Sequence, residues 1–193
     1  MGEGVLRLFT GIELDNGVKS SIAALYHRFD RHKEILRFTP KENLHITLNF
    51  LGDVFEDKAA LAVKAIEEAA ARHEVFFASS SAVNCFGSQK YARVIWAGID
   101  RHAAKVSALY DDLKAGFEAS GFEQEKREYT PHITIARCKE GVNIARILPD
   151  IKYDFKIKVS KITLFKSSLK PSGAEHGVLF ERELKPAGEE SGI

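Results

Sequence analysis

Cysteine is scarce in this chain, which argues against a disulfide-stabilised protein and against a zinc-binding protein. Cys85 and Cys138 are the only two cysteines among 193 residues, and they form neither a Cys-x-x-Cys motif nor a disulfide framework. Neither has partners at the spacing of a zinc site. We therefore expect no metal, and the composition favours a reducing, cytoplasmic location.

A large excess of charge of one sign is also missing. The 28 basic and 27 acidic residues leave a formal net charge of +1, so a general polyanion binder is excluded and any nucleic-acid contact must come from a local patch. The sequence has no apolar run of membrane-spanning length, no secretion signal and no Gly-x-x-x-x-Gly-Lys-Ser/Thr loop for nucleotide phosphates. We expect a monomer with no membrane partner and no cofactor.

What the chain does contain is an internal repeat. An apolar, β-rich run ends on Gly11-Ile near the start and on Gly98-Ile in the middle, and each run is followed by a helical stretch and then by a His-Ile-Thr motif. His45 follows Gly11 by 34 positions, and His132 follows Gly98 by the same 34, so both landmarks repeat at an offset of 87. Two landmarks with one offset indicate a duplicated unit.

The two repeats cover about residues 5–86 and 92–166, and each reads β-α-β-α-β. After the first His-Ile-Thr the composition predicts a strong helix at residues 56–73. After the second it predicts a shorter helix at about residues 143–148, ended by a proline.

No linker separates the repeats, so we predict one bilobal domain over residues 1–193, with a flexible tail at 186–193. The fold class is α+β: two pseudo-twofold-related lobes, each an antiparallel sheet with helices on its outer face, with the active-site cleft between them. A parallel doubly wound sheet is disfavoured, because parallel strands are usually apolar on both faces.

The His-Ile-Thr strands carry the chemistry. Alternation along a strand puts His45 and Thr47 on one face, and likewise His132 and Thr134. A pseudo-twofold axis would bring the two polar pairs into one cleft. Two histidines there suit acid–base catalysis on phosphorus, because one ring can be neutral while the other is protonated. The threonine hydroxyls can donate to the nonbridging oxygens of a phosphate.

The two motifs in their setting resemble the 2H phosphoesterase superfamily, and within it the RNA 2′,3′-cyclic phosphodiesterases, also called 2′-5′ RNA ligases. The resemblance runs from about Arg7 to about Leu184. The resembling stretches are Asn43-Leu-His-Ile-Thr-Leu-Asn-Phe-Leu-Gly52, Arg93-Val-Ile-Trp-Ala-Gly98, Pro131-His-Ile-Thr-Ile-Ala-Arg137 and Ile162-Thr-Leu-Phe-Lys-Ser167.

The resemblance implies a metal-independent hydrolase that opens 2′,3′-cyclic phosphates on RNA ends to 2′-phosphomonoesters, with slow 2′-5′ ligation as a side activity. It implies His132 as the base toward water and His45 as the acid toward the 3′ oxygen, an assignment that side-chain chemistry alone leaves open. Arg137 matches a family arginine near the phosphate. Simple alternation, however, puts Arg137 on the face opposite His132, so a bulge or strand end is needed to bring it in.

Two other functions stay open. One is a 2H phosphodiesterase that acts on a small nucleotide, either an ADP-ribose cyclic phosphate or a 2′-5′ oligoadenylate. The other is a non-catalytic module that binds RNA ends. The complete pair of His-x-Thr motifs favours catalysis, because a binding module gains little from two opposed histidines.

Overall fold

The computed structural model describes residues 4–146, 151, 153–170 and 173–188. In this part of the chain the strands are β1 (Val5–Glu13), β2 (Leu36–Phe38), β3 (His45–Phe55), β4 (Phe76–Ser80), β5 (Val83–Ser88), β6 (Tyr91–Gly98), β7 (His132–Val142), β8 (Phe155–Val159), β9 (Lys161–Lys170) and β10 (Gly173–Glu183). The α-helices are α1 (Asn16–Ala23), α2 (Ala59–Ala70) and α3 (Ala103–Ala119), with 3₁₀ turns at Tyr26–His32, Lys41–Asn43 and Glu56–Lys58.

The main sheet is antiparallel and runs through both halves of the molecule. Its strand order is β10-β9-β1-β3-β7-β6-β5, and β2 pairs with β7 beside the end of β3. The halves meet where β3 pairs with β7, at Ile46 opposite Ile133. The middle isoleucines of the two His-Ile-Thr motifs therefore join the two lobes at the centre of the sheet.

The last strand of each repeat belongs to the sheet of the other half. β5, at the end of the first repeat, pairs with β6, and β9, at the end of the second, pairs with β1. The remaining strands β4 and β8, one from each repeat, form a separate two-stranded antiparallel sheet. Because the strands are exchanged, neither repeat builds its sheet from its own residues alone.

The helices pack on the apolar side of the strands. α2 lies against α3, β9 and β10, and α3 also contacts β3. α1 begins at Asp15, whose side chain accepts a hydrogen bond from the Val18 amide at 2.9 Å, as an N-cap residue does. The isoleucines of the two His-Ile-Thr-x motifs are fully buried, with Ile46, Ile133 and Ile135 at 0% exposure. This leaves the opposite face of the same strands for the polar side chains.

The predicted α+β fold with antiparallel sheets is confirmed. The first predicted helix is present as the turn Glu56–Lys58 followed by α2. The second, at 143–148, is wrong over the residues that the structure describes, since 143–146 hold only a turn; its remainder lies outside the described residues. Most of the tail 186–193 also lies outside them. No helix in the described part of the chain is long and apolar enough to cross a membrane.

Candidate active site

The two His-Ile-Thr motifs meet at the centre of the sheet. In an antiparallel ladder, the pairing of Ile46 with Ile133 sets His45 beside Thr134 and Thr47 beside His132. Side chains directly opposite in such a pair are about 5 Å apart at Cβ and share a face. The register thus brings together on one face the four residues that the sequence singled out.

Both imidazole rings are fixed in the same way by the backbone. His45 donates from Nδ1 to the carbonyl oxygen of Asn43 at 2.6 Å, and His132 donates from Nδ1 to that of Thr130 at 2.7 Å. In each case the acceptor lies two residues upstream. A proton held on Nδ1 leaves Nε2 as the nitrogen that can exchange a proton with a ligand. In His45 this Nε2 lies 2.9 Å from the Thr47 hydroxyl, from which it can accept a hydrogen bond.

His45 lies among aromatic rings. Its ring centroid is 5.0 Å from that of Phe9 and 5.6 Å from that of Phe165, and the ring of His176 stands perpendicular to it at 5.4 Å. Burial lowers the pKa of His45 to about 4, and the positive charges of His176, His132 and Lys19 act in the same direction. The unliganded protein therefore holds His45 neutral at pH 7.

His132 has a similar setting in the other half. The ring of Phe86 stands edge-on to it at 4.9 Å, and that of Trp96 is tilted at 5.9 Å. Burial lowers the pKa of His132 as well, and the charge of Arg137 contributes to the shift. Phe9 and Trp96 are 87 positions apart, the repeat offset. The repeat could therefore have identified this pair of histidine neighbours.

A β-bulge decides where Arg137 points. On β6, Ile95 pairs with Ala136 and the next residue, Trp96, pairs with Thr134, so Ile135 is an extra residue in β7. Ile135 and Ala136 are both fully buried in succession. The alternation is thereby shifted by one, and Arg137 projects from the same face as Thr134. Simple alternation, which placed Arg137 on the far side of the strand, is therefore wrong here.

The first half has a matching irregularity. Gly11 pairs with Thr47 and Phe9 pairs with Phe50, so β3 holds one residue more than β1 between these pairs. Phe50 thus shares the face of Thr47 and is 54% exposed. It lines a cavity of about 380 Å³ with Phe86, Gln124 and His132, among other residues. Phe50 and Arg137 occupy equivalent positions in the two repeats, and the two bulges turn both of them onto the histidine face.

Gly11, the first landmark of the repeat, leaves space for the ring of His45 because it has no side chain. A Cβ atom at Gly11 would lie 2.7 Å from the carbonyl oxygen of Ile46 and 3.4 Å from Cδ2 of His45. Any larger residue would push the motif strand or its histidine away. Gly98, the second landmark, pairs directly with His132.

His176 is a further residue of this site. The sequence pattern around it is typical of a loop at the border of the cleft, whereas the structure puts it in β10, opposite Ser167. Its Nδ1 is buried without a hydrogen-bond partner among the described residues. Burial also lowers the pKa of His176. The local sequence carries no motif that could have linked it to His45, which lies 131 positions upstream.

Among the residues that the structure describes, no three His, Cys, Asp or Glu side chains are grouped so that they could hold a metal ion. The polar groups on the histidine face are imidazoles, hydroxyls and a guanidinium. These groups exchange protons and donate hydrogen bonds to an anion, and a guanidinium is not a ligand for a cation.

Comparison with known proteins gives consistent matches over most of the chain. RNA 2′,3′-cyclic phosphodiesterase of Methanocaldococcus jannaschii is 32% identical over 179 residues, which are 90% of this chain and 98% of that protein. RNA 2′,3′-cyclic phosphodiesterase of Methanothermobacter thermautotrophicus is 29% identical over 173 residues, 87% of this chain and 93% of that one.

Solved structures give the same result. TT0787 of Thermus thermophilus superposes with a TM-score of 0.81 at 25% identity, covering 95% of this chain and all of that one. Escherichia coli LigT in complex with 3′-AMP has a TM-score of 0.74 at 25% identity, with 94% and 99% covered. The family model of the 2′-5′ RNA ligase superfamily matches residues 19–171. With this match, and with a relative above 30% identity over nearly its whole length, the chain belongs to the 2′-5′ RNA ligase superfamily.

Proposed function

We propose that this protein is an RNA 2′,3′-cyclic phosphodiesterase that hydrolyses the cyclic end to a 2′-phosphomonoester by paired-histidine acid–base catalysis. The observation that carries the proposal is the matched pair of rings: both histidines have Nδ1 held by a backbone carbonyl, on neighbouring strands of one face. The activity for which the two archaeal relatives are named supports the substrate class. An assay with a dinucleotide that ends in a 2′,3′-cyclic phosphate tests it directly.

The reaction needs one base and one acid on opposite sides of phosphorus. In the assignment that the resemblance implies, Nε2 of His132 takes a proton from water while the water oxygen bonds to phosphorus. The bond from phosphorus to the 3′ oxygen breaks, and Nε2 of His45 gives that oxygen its proton. Each role contributes about 10²–10⁴ in rate. The same geometry admits a 5′-hydroxyl in place of water, which would give slow 2′-5′ ligation.

The reacting phosphate also needs donors for its nonbridging oxygens. Thr47 and Thr134 supply hydroxyl groups beside the histidines, and Arg137 supplies a fixed positive charge on the same face. Charge-assisted hydrogen bonds from a guanidinium are about twice as strong as neutral ones and can be two-pronged. Such donors act most strongly on the charge that develops in the transition state.

Small nucleotides remain the second candidate substrate, because the cavity beside His132, at about 380 Å³, lies within the range of about 300–1,000 Å³ that is usual for small-molecule sites. A module that only binds RNA ends would gain little from two opposed histidines whose rings are both fixed through Nδ1. Turnover of the dinucleotide and of a mononucleoside cyclic phosphate, measured side by side, separates the three possibilities.

The pH dependence of the reaction follows from the lowered pKa values of both histidines. The ratio kcat/KM reports the free enzyme, in which one ring must be neutral and one protonated. Burial depresses both pKa values below 6.5. A plot of kcat/KM against pH should therefore be bell-shaped, with both limbs on the acidic side and a maximum below pH 6.5. Bound phosphate is anionic and raises both pKa values, so the kcat profile should lie at higher pH. Initial rates from about pH 3.5 to about pH 9 measure both, and a kcat/KM maximum above pH 7 would contradict the proposal.

Chelation should leave the activity unchanged. Two histidines, two hydroxyls and a guanidinium provide the proton transfers and the charge stabilisation, so no step is assigned to a divalent ion. We expect the initial rate to vary by less than twofold after overnight dialysis against excess EDTA. A loss of activity that one added metal restores would show that the mechanism is incomplete.

A further inference from the structure

A second arginine lies directly beside Arg137. On β2, Arg37 is paired with Arg137 of β7, with Leu36 opposite Cys138 and Phe38 opposite Ala136 on either side. Residues directly opposite in an antiparallel pair share a face, so Arg37 also projects from the histidine face. Both arginines are exposed.

This pairing is unfavourable for the isolated protein. Like charges directly opposite each other on a sheet destabilise it, and no carboxylate in the described part of the chain forms an ion pair with either arginine. The neighbouring cation Lys139 is turned to the carbonyl oxygen of Glu34 at 3.0 Å. Two uncompensated guanidinium groups beside a phosphate-binding site are suited to more than one anionic group.

The repeat shows that this end of the site has diverged from its counterpart. By the offset of 87, Arg137 corresponds to Phe50 and Arg37 corresponds to Gln124. Phe50 and Gln124 line the cavity beside His132, where Gln124 accepts a hydrogen bond from the Asn49 amide at 3.1 Å. At these two positions one end therefore carries an aromatic ring and a neutral amide, and the other carries two positive charges. A symmetric pair of lobes thus offers an asymmetric site to its ligand.

We infer that Arg37 binds the phosphodiester next to the reacting phosphate, so that the site selects a cyclic end carried on an RNA chain over a free mononucleotide. The inference rests on the proposed function and specifies its substrate. A 2′,3′-cyclic phosphate carries a single negative charge, which one protonated histidine and Arg137 already neutralise. Arg37 lies on the neighbouring strand β2, about 5 Å from Arg137 by the strand pairing. It is therefore available to the next phosphate of the RNA chain. Contacts of this kind position a nucleic acid without reading its sequence.

The test compares two substrates in Arg37→Gln and wild type: a mononucleoside 2′,3′-cyclic phosphate, and an RNA trinucleotide with the same cyclic end. We expect Arg37→Gln to lower kcat/KM about tenfold on the trinucleotide and less than twofold on the mononucleoside, as expected from the loss of one charge-assisted contact. The salt dependence of log kcat/KM on the trinucleotide should become shallower by about 0.7, the value for one phosphate contact on a single strand. Arg37→Lys should keep that salt dependence.

The matched control is Arg182→Gln. Arg182 is also a strand arginine, but it lies 3.9 Å from Glu67 of α2, on the helix side of the sheet, so its loss should affect neither substrate. Equal losses on both substrates in Arg37→Gln, or no loss on either, would overturn the inference.

A binding measurement keeps this test separate from the proposed function. Fluorescence anisotropy with a labelled RNA trinucleotide ending in a 2′-phosphate needs no turnover. If wild type hydrolyses neither cyclic substrate, the proposed function fails, while an approximately tenfold weaker affinity in Arg37→Gln would still support the phosphate contact. Unchanged affinity would overturn it.

Discussion

Replacing either His45 or His132 with alanine should lower kcat by about 10²–10⁴, while the protein remains folded. Each variant removes the imidazole that is assigned to proton transfer on its side of the phosphate. Both rings lie on the cleft face, outside the cluster of buried apolar residues, so the core keeps its packing. Steady-state rates on a cyclic-phosphate dinucleotide measure the effect, and circular dichroism and thermal unfolding check the fold.

The variant that lacks both His45 and His132 tests whether the two histidines act as a unit. Because base and acid act in one step, removing both should cost little more than removing the more damaging one alone. His27→Ala is the control: His27 is exposed, and its ring forms a hydrogen bond with the carbonyl oxygen of Ala24. Nearly normal turnover in either active-site variant would remove that histidine from the mechanism.

Arg137→Ala should lower kcat/KM by about 10², comparable to the loss of a transition-state donor in other sites. Arg137→Lys should recover part of it, because lysine keeps the charge but loses the two-pronged geometry. Loss of the guanidinium also removes one cause of the depressed pKa of His132. The limb that His132 sets should therefore move to higher pH in Arg137→Ala and stay in place in Arg137→Lys.

This combination distinguishes a phosphate contact from a structural role. Loss of an arginine that only stabilised the strand would lower the unfolding temperature and leave kcat/KM of the folded enzyme unchanged. Arg182→Ala provides the matched strand position outside the site. Full activity in Arg137→Ala would mean that the guanidinium does not touch the phosphate, even though the bulge turns it toward the cleft.

The sequence predicted the central chemistry because that chemistry is local and repeated. His45 and Thr47 share a face by strand alternation alone, and the repeat offset supplied the second pair. The bulge at Ile135 could not be predicted in the same way. Its only local signal is two apolar residues in succession, Ile135 and Ala136, and such a pair is common in strands without a bulge.

Contacts between residues far apart in the sequence could not be predicted either. His176 and Arg37 reach the site through pairing with strands far away in the sequence, β9 and β7. The period of a strand predicts which face a residue takes, but it carries no information on which strand will lie beside it. The exchange of β5 and β9 between the halves was missed for the same reason.

That exchange has a consequence for how the protein is made. β1 leaves the ribosome long before its partner β9, which comes at the end of the second repeat. Until β9 is synthesised, one edge of β1 has no partner strand, and Phe165 cannot yet pack against His45. Pairings so distant in the chain slow folding and leave exposed strand edges in the meantime. We therefore expect the nascent chain to depend on chaperones until synthesis has passed β9, and the enzyme to gain activity in a single late step.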